Sequence, residues 1–238
     1  MSETSSLTRL LADTVVRNAG RATLPFQQAH TGDHYGTAFW YNDLVDATPG
    51  AERVRQYLVT ATTGTRFGLA QWTLRPELCQ PQMSADLLLM PDFKSRWTAL
   101  AALGVAVMPS EGMHQHAVRK SWQWATDEVT EGIGATPADL AVIGSGPVAS
   151  LVLGHDVGPA GERLQAAVVG GVSRGVDGAL RWDRAMPDGC VGAPVFTGLP
   201  LGEGKWKLVC LGVVLPGSGL NGIAPFDQIR AAVHALAH

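Results

Sequence analysis

Apolar residues along the chain fall into short bursts separated by turn-forming residues. The clearest occupy residues 37–41, 56–62, 66–72, 86–90, 140–143, 164–169, 193–197, 207–215 and 222–224, and they are rich in β-branched and aromatic side chains. That length and composition predict strands. No helical periodicity alternates with them, so the strands should pair antiparallel in a barrel or sandwich rather than form a parallel sheet. Helical spacing is confined to the two ends. Leu7, Leu10, Leu11 and Val15 recur at helical intervals behind a Ser5 or Ser6 N-cap, predicting a helix over 6–19 that stops at Asn18-Ala19-Gly20. Pro225 opens a second helix whose apolar stripe is Phe226, Ile229, Val233 and Leu236.

Composition sharpens this picture without redirecting it. Hydrophobic residues make up 46% of the chain and charged residues 16%, enough apolar material for a sizeable core and too little charge for a disordered chain. Twenty-eight glycines and fourteen prolines are scattered rather than clustered, as many tight turns require. The net charge is -3 with no run of Lys or Arg, which argues against a nucleic-acid partner. No window has the length of a membrane-spanning helix. The first residues, Met1-Ser-Glu-Thr-Ser-Ser, carry neither the basic nor the apolar region of an export signal. With only Cys79, Cys190 and Cys210, an odd number, the expectation is a cytoplasmic chain with free thiols.

Four segments, in order, resemble the signature segments of trypsin-like serine peptidases. Gly36-Thr37-Ala38-Phe39-Trp40 is similar to the strand that opens the first barrel of that family. Tyr57-Leu58-Val59-Thr60-Ala61-Thr62-Thr63 resembles the segment that ends in the catalytic histidine, and Ala85-Asp86-Leu87-Leu88-Leu89 the strand that carries the aspartate. Asp188-Gly189-Cys190-Val191-Gly192-Ala193-Pro194 resembles the nucleophile loop. The later segments 209–214 and 222–225 match the family's late strands and the entry to its terminal helix, so the resemblance spans roughly residues 33 to 233.

The resemblance implies an all-β fold of two antiparallel six-stranded β-barrels, chymotrypsin-like, with N- and C-terminal helices. The implied division is a helix and lead-in over 1–32, a first barrel over 33–130 and a second barrel with its helix over 131–238, crossing near 128–137. It also implies degenerate chemistry, because the triad positions fall on Thr63, Asp86 and Val191. An isopropyl group has nothing with which to attack a carbonyl, and a threonine hydroxyl cannot accept a proton as an imidazole does. Losing nucleophile or base costs about a million-fold in kcat. Moving Cys190 into the nucleophile slot would put β-branched Val191 where the family needs a glycine. Ala193 in place of the second glycine is a smaller departure.

Other candidate chemistry is thinner. Cys190 is the alternative nucleophile, but none of His30, His34, His114, His116, His155, His234 or His238 sits in a motif as its base, His34 being the nearest candidate. His114-Gln115-His116 would put two imidazoles on one face of an extended segment, without a third metal ligand. Gly144-Ser145-Gly146-Pro147 and Gly170-Gly171 lack the lysine of a phosphate loop and read as turns. Trp122 and Trp124 flank Gln123 at strand spacing, and most of the seven tryptophans should be core. The expectation is a pseudoprotease that binds a peptide or protein, with no cofactor, metal, nucleic acid or membrane. The alternative is a hydrolase or small-molecule enzyme reusing the cleft between barrels, with Leu211–Leu215 as a wall of its pocket.

Overall fold

The computed structural model describes residues 3–82, 87–158, 161–203 and 205–236, with side chains from residue 8 onward. Helix α1 (Glu3–Ala19) begins three residues before the expected 6–19 and buries Leu11, Val15 and Ala19, leaving Leu10 exposed. The Leu7 side chain lies outside the described residues. The first sheet follows: β1 (Thr23–Gln28), β2 (Gly36–Asp46), β3 (Arg53–Ala61) and β4 (Leu69–Thr73). After the two-residue β5 (Cys79–Gln80) come β6 (Leu87–Pro91), β7 (Thr98–Leu100) and β8 (Val105–Pro109). Helix α2 (Glu111–Arg119) leads to β9 (Gln123–Trp124), which pairs with β5.

A short helix, α3 (Pro137–Ala141), then precedes the second half. There β10 (Val148–Val157), β11 (Arg163–Arg174), β12 (Leu180–Trp182), β13 (Pro194–Gly202), β14 (Lys205–Val214) and β15 (Gly222–Pro225) close into a ring in the order β10-β11-β12-β15-β14-β13. Helix α4 (Phe226–Leu236) ends the fold, starting where Pro225 predicts and burying Phe226, Ile229 and Val233.

The first sheet runs β6-β4-β1-β2-β3-β8-β7, seven strands where a ring of six is expected. Its two edge strands are one stretch of chain interrupted by the turn Phe93–Arg96. The interruption has a packing cause. Phe93 turns fully inward and its ring lies 5.1 Å from Phe67, 5.4 Å from Phe26, 5.5 Å from Trp97 and 5.7 Å from Trp72. A strand that aims such a ring at the barrel axis and then turns sharply, with Asp92 at φ 55°, gives up its ladder for that turn. The ring is thus closed by the chain rather than by hydrogen bonds. The fold is an all-β, chymotrypsin-like pair of barrels, the first interrupted and the second complete.

Strands β2, β3 and β8 carry two cores on opposite faces. Ala38, Trp40, Leu58, Ala106 and Met108 face the aromatic interior of the first barrel. Phe39, Tyr41, Tyr57, Val59, Val105 and Val107 face the larger core shared with the second barrel and both terminal helices. Burial on both faces explains why these strands read as unbroken apolar runs rather than alternating ones.

Several expectations change. Residues 140–143 are not a strand: Thr136 and Asp139 form a capping box, with Asp139 Oδ2 accepting from the Thr136 N–H at 2.9 Å, and Pro137 opens α3 behind it. His114 and His116 lie on helix α2 rather than on an extended segment, so their imidazoles point apart. The lead-in before residue 33 contains β1, paired with both β2 and β4. The segment 128–137 is tied down by bridges from Val129 to Tyr41 and from Gly134 to Cys210. Trp40, Trp72, Trp97, Trp122, Trp124 and Trp182 are buried, and the Trp122 and Trp124 rings meet at 4.8 Å. Among the described residues no helix is long and apolar enough to cross a membrane, and no group of three or more His, Cys, Asp or Glu is placed to hold a metal.

Candidate functional site

The loop between β12 and β13 resembles a nucleophile loop, and the backbone N–H groups of its residues 190–193 are all bonded within the protein. Residues Asp188–Cys190 form a tight 3-10 turn behind Pro187. The Cys190 N–H donates to the Pro187 carbonyl at 2.9 Å, and the Val191 N–H to the Asp188 carbonyl at 3.1 Å. The Gly192 N–H bonds Val214 O at 2.9 Å, and the Ala193 N–H bonds Cys190 O at 3.0 Å. Val191 O in turn accepts from the Thr37 N–H at 2.9 Å, which pins the loop to β2. Acyl transfer requires N–H groups beside the attacking atom to receive the oxyanion. The N–H at position 191 faces back into its own turn.

The side chains at positions 190–193 of the loop are aliphatic or buried. Val191 is half-buried. Cys190 is fully buried, with Sγ 3.8 Å from the backbone carbonyl of His155. Burial pushes its thiol up to about 12, reinforced by Asp156. Gly154 makes room for it, since a β-carbon there would lie 2.6 Å from Sγ. Thr63 is exposed on the 3-10 turn Thr62–Thr65 that follows β3.

Asp86 lies outside the described residues, but the strand it leads into is informative. That strand, β6, pairs with β4. The strand beside β3 is β8, where Ala61 faces Val105 and the Thr62 N–H bonds Gly104 O at 2.9 Å. The residue flanking the turn of Thr63 across that ladder is therefore Gly104. Both β6 and β8 are short apolar strands, and ladder order is invisible in a single sequence.

The histidine nearest the loop is one that sequence reasoning left without a role. His155 on β10 is almost wholly buried, and its Nδ1 lies 3.4 Å from Thr37 Oγ1. That hydroxyl gives its proton to Gly189 O at 2.7 Å, so it accepts from Nδ1–H, and the proton of the neutral ring sits on Nδ1. His155 Nε2 is buried with no partner. Burial first, and then nearby Arg75, depress the imidazole well below its ordinary range. Arg75 itself reaches Gly20 O at 3.0 Å, Thr23 O at 3.2 Å and Glu77 at 3.1 Å. His30 and His34 lie exposed on the loop between β1 and β2, the His34 ring stacked on Phe67 at 6.5 Å. No motif signalled His155. The only sequence hint was Thr37, which belongs to the first matching segment.

The segment Leu211–Leu215 runs along β14 and one residue past it, but its backbone is spent. The Val214 N–H bonds Ala193 O at 3.0 Å, the Leu215 N–H bonds Gly222 O at 2.8 Å, and Pro216 has no N–H. Leu215 O accepts from Asn221 Nδ2 at 2.8 Å. A guest strand finds no donor there.

The chain matches no family model, and no curated protein is similar to it in sequence. Among solved structures it is similar to a catalytically inactive tobacco etch virus protease complexed with substrate, at 7% identity and a TM-score of 0.53, covering 94% of this chain and 87% of that one. It is also similar to a thermostable serine protease from an extremophilic microorganism, at 11% identity and a TM-score of 0.52, covering 94% and 96%. Likeness at such identities establishes the fold alone: that of the chymotrypsin-like serine proteases.

Proposed function

We propose that the chain is a catalytically inert chymotrypsin-fold domain, a pseudoprotease that works by binding a peptide or protein. The observation that carries this reading is the Val191 N–H, donated to Asp188 O at 3.1 Å in the place where a peptidase would present both its attacking atom and an oxyanion donor. The exposed hydroxyl of Thr63 and the glycine at 104 support it, because neither position supplies an imidazole or a carboxylate. Against a hydrolase built on Cys190 stand its burial, its raised thiol and a neighbouring carbonyl where a base would be needed. Three buried free thiols support a reducing, cytoplasmic setting.

Because residues 214–216 offer no backbone donor, the partner is held by side-chain contacts rather than by strand addition at that edge. The test is a panel of fluorogenic peptides and activated esters, run beside affinity capture on the same protein. The reading expects no turnover above buffer and a retained partner. Turnover that survives purification and disappears in Cys190→Ala would overturn it.

A further inference from the structure

A buried cation lies at the seam between the two halves with no acid among the described residues to answer it. Arg163, the first residue of β11, is 8% exposed. Its guanidinium carbon sits 4.1 Å over the centre of the Tyr35 ring, and Nη2 donates to the side-chain carbonyl of Gln27 on β1. Nε and Nη1 are buried without an acceptor. The same seam is rich in donors along β1. Gln165, two residues further on the same face of β11, bonds Thr23 Oγ1 at 3.0 Å and Gly20 O at 2.7 Å. Arg75 also bonds Gly20 O and Thr23 O, and its Nε is buried and unpartnered. The acid that pairs with Arg75 is Glu77. None among the described residues pairs with Arg163.

Buried guanidinium groups are normally answered by a carboxylate or a full set of carbonyls, because a cation removed from water loses its hydration. A guanidinium held over an aromatic ring, with two buried donors unpartnered, is a preorganised receptor for a planar anion. One guanidinium without a lysine or glycine-rich nest matches a single negative charge. We propose that Arg163, held by Tyr35 and Gln27, anchors a carboxylate of the bound partner, an acidic peptide. The inference rests on the reading of the chain as an inert binding domain, and it names the chemistry of what is bound. Tyr35, which covers the guanidinium, ends the loop between β1 and β2 and is the side chain the partner would displace. The loop is exposed from His30 to His34, with His30, Gly32 and His34 in left-handed backbone conformations.

Fluorescent ten-residue peptides with blocked ends, one carrying spaced glutamates and one the matching glutamines, are titrated against the full chain by anisotropy at low salt. A third, glutamine peptide with a free C-terminal carboxylate distinguishes a side-chain source from a terminal one. The glutamate peptide, or the free-terminus peptide if the source is terminal, should bind at least about tenfold tighter than the blocked glutamine peptide, weakening as salt is added. Arg163→Met should abolish that preference, and Arg163→Lys, which keeps charge but not the planar fork, should retain part of it. Removing an unpaired buried cation should leave the melting temperature of Arg163→Met at or above that of the parent, which certifies its fold. A melting temperature clearly below the parent's would mean that Arg163 is satisfied internally and would overturn the inference. Equal binding of acidic and neutral peptides, or a preference that survives Arg163→Met, overturns this inference alone. Failure of every peptide to bind overturns it together with the peptide-binding reading.

Discussion

Gly192 holds a left-handed backbone at φ +88°, and a β-carbon there would lie 2.1 Å from Thr60 Oγ1 and 2.4 Å from Thr37 O. Both the backbone conformation and the close approach of β2 and β3 depend on the missing side chain. Gly192→Ala should therefore cost about 2 kcal/mol or more, read as a drop in the denaturant midpoint. Its neighbour Cys190 makes a chemical prediction. A thiol raised to about 12 leaves almost no thiolate at neutral pH, so native Cys190 should react with iodoacetamide at least about a thousandfold more slowly than a free cysteine. Peptide mapping after timed labelling measures this. Restoring the triad's side chains should restore little: Val191→Ser combined with Thr63→His still faces an N–H turned toward Asp188 O and a glycine at 104. Esterase assays of that variant should stay within about tenfold of background, since a missing oxyanion donor alone removes about a hundredfold or more. Val191 and Cys190 were legible as chemistry because residue type alone rules out an attacking oxygen at 191. Asp86 was not, because its role depends on which strand lies beside which.

Among the elements, those with an uninterrupted pattern declared themselves and those built around an exception did not. Strand β1 reads as lead-in because Pro25 falls in its middle. The proline is tolerated because only Phe26–Gln28 pair with β4, leaving Pro25 on a locally open edge. Strand β10 hides behind Gly154, His155 and Asp156, residues placed there by the packing of Cys190 and the seam. Helix α2 buries Met113 and Ala117 and carries a glycine and two histidines, too weak a stripe to stand out. Helix α3 could have been read: Thr-Pro-Ala-Asp at 136–139 is a capping signature, overridden by the apolar run after it. Its cap can be tested directly. Thr136→Ala should lower stability by about 1 kcal/mol in chemical denaturation, with the folded spectrum unchanged.

At the scale of the whole molecule, the two halves meet across a polar seam as well as an apolar core. His155 sits in that seam as a neutral ring, its folded value well below the ordinary 6.5, displaced chiefly by burial and then by Arg75. The unfolded chain therefore takes up a proton near pH 6.5 that the folded chain refuses. Stability is fully present above about pH 6.5 and is lost progressively as pH falls below it toward the folded value. His114 and His116, lowered mainly by burial, act in the same direction. Urea midpoints measured from pH 8 to pH 5 should fall, and His155→Gln should flatten the fall. An unchanged slope in that variant would remove His155 from the account. The overall architecture was visible in sequence because strand length, turn spacing and terminal helices are local signals. The seam was not, since it joins His155, Arg163 and Gln165 to Thr37, Gln27 and Thr23, more than a hundred residues away in the chain.

The most direct test of an inert loop before β13 is intact-mass spectrometry of the native chain after exposure to a fluorophosphonate and to a peptidyl electrophile. The account predicts an unshifted mass with both reagents over hours at neutral pH. A stoichiometric adduct that maps between Pro187 and Pro194, and is lost when the protein is first denatured, would contradict it.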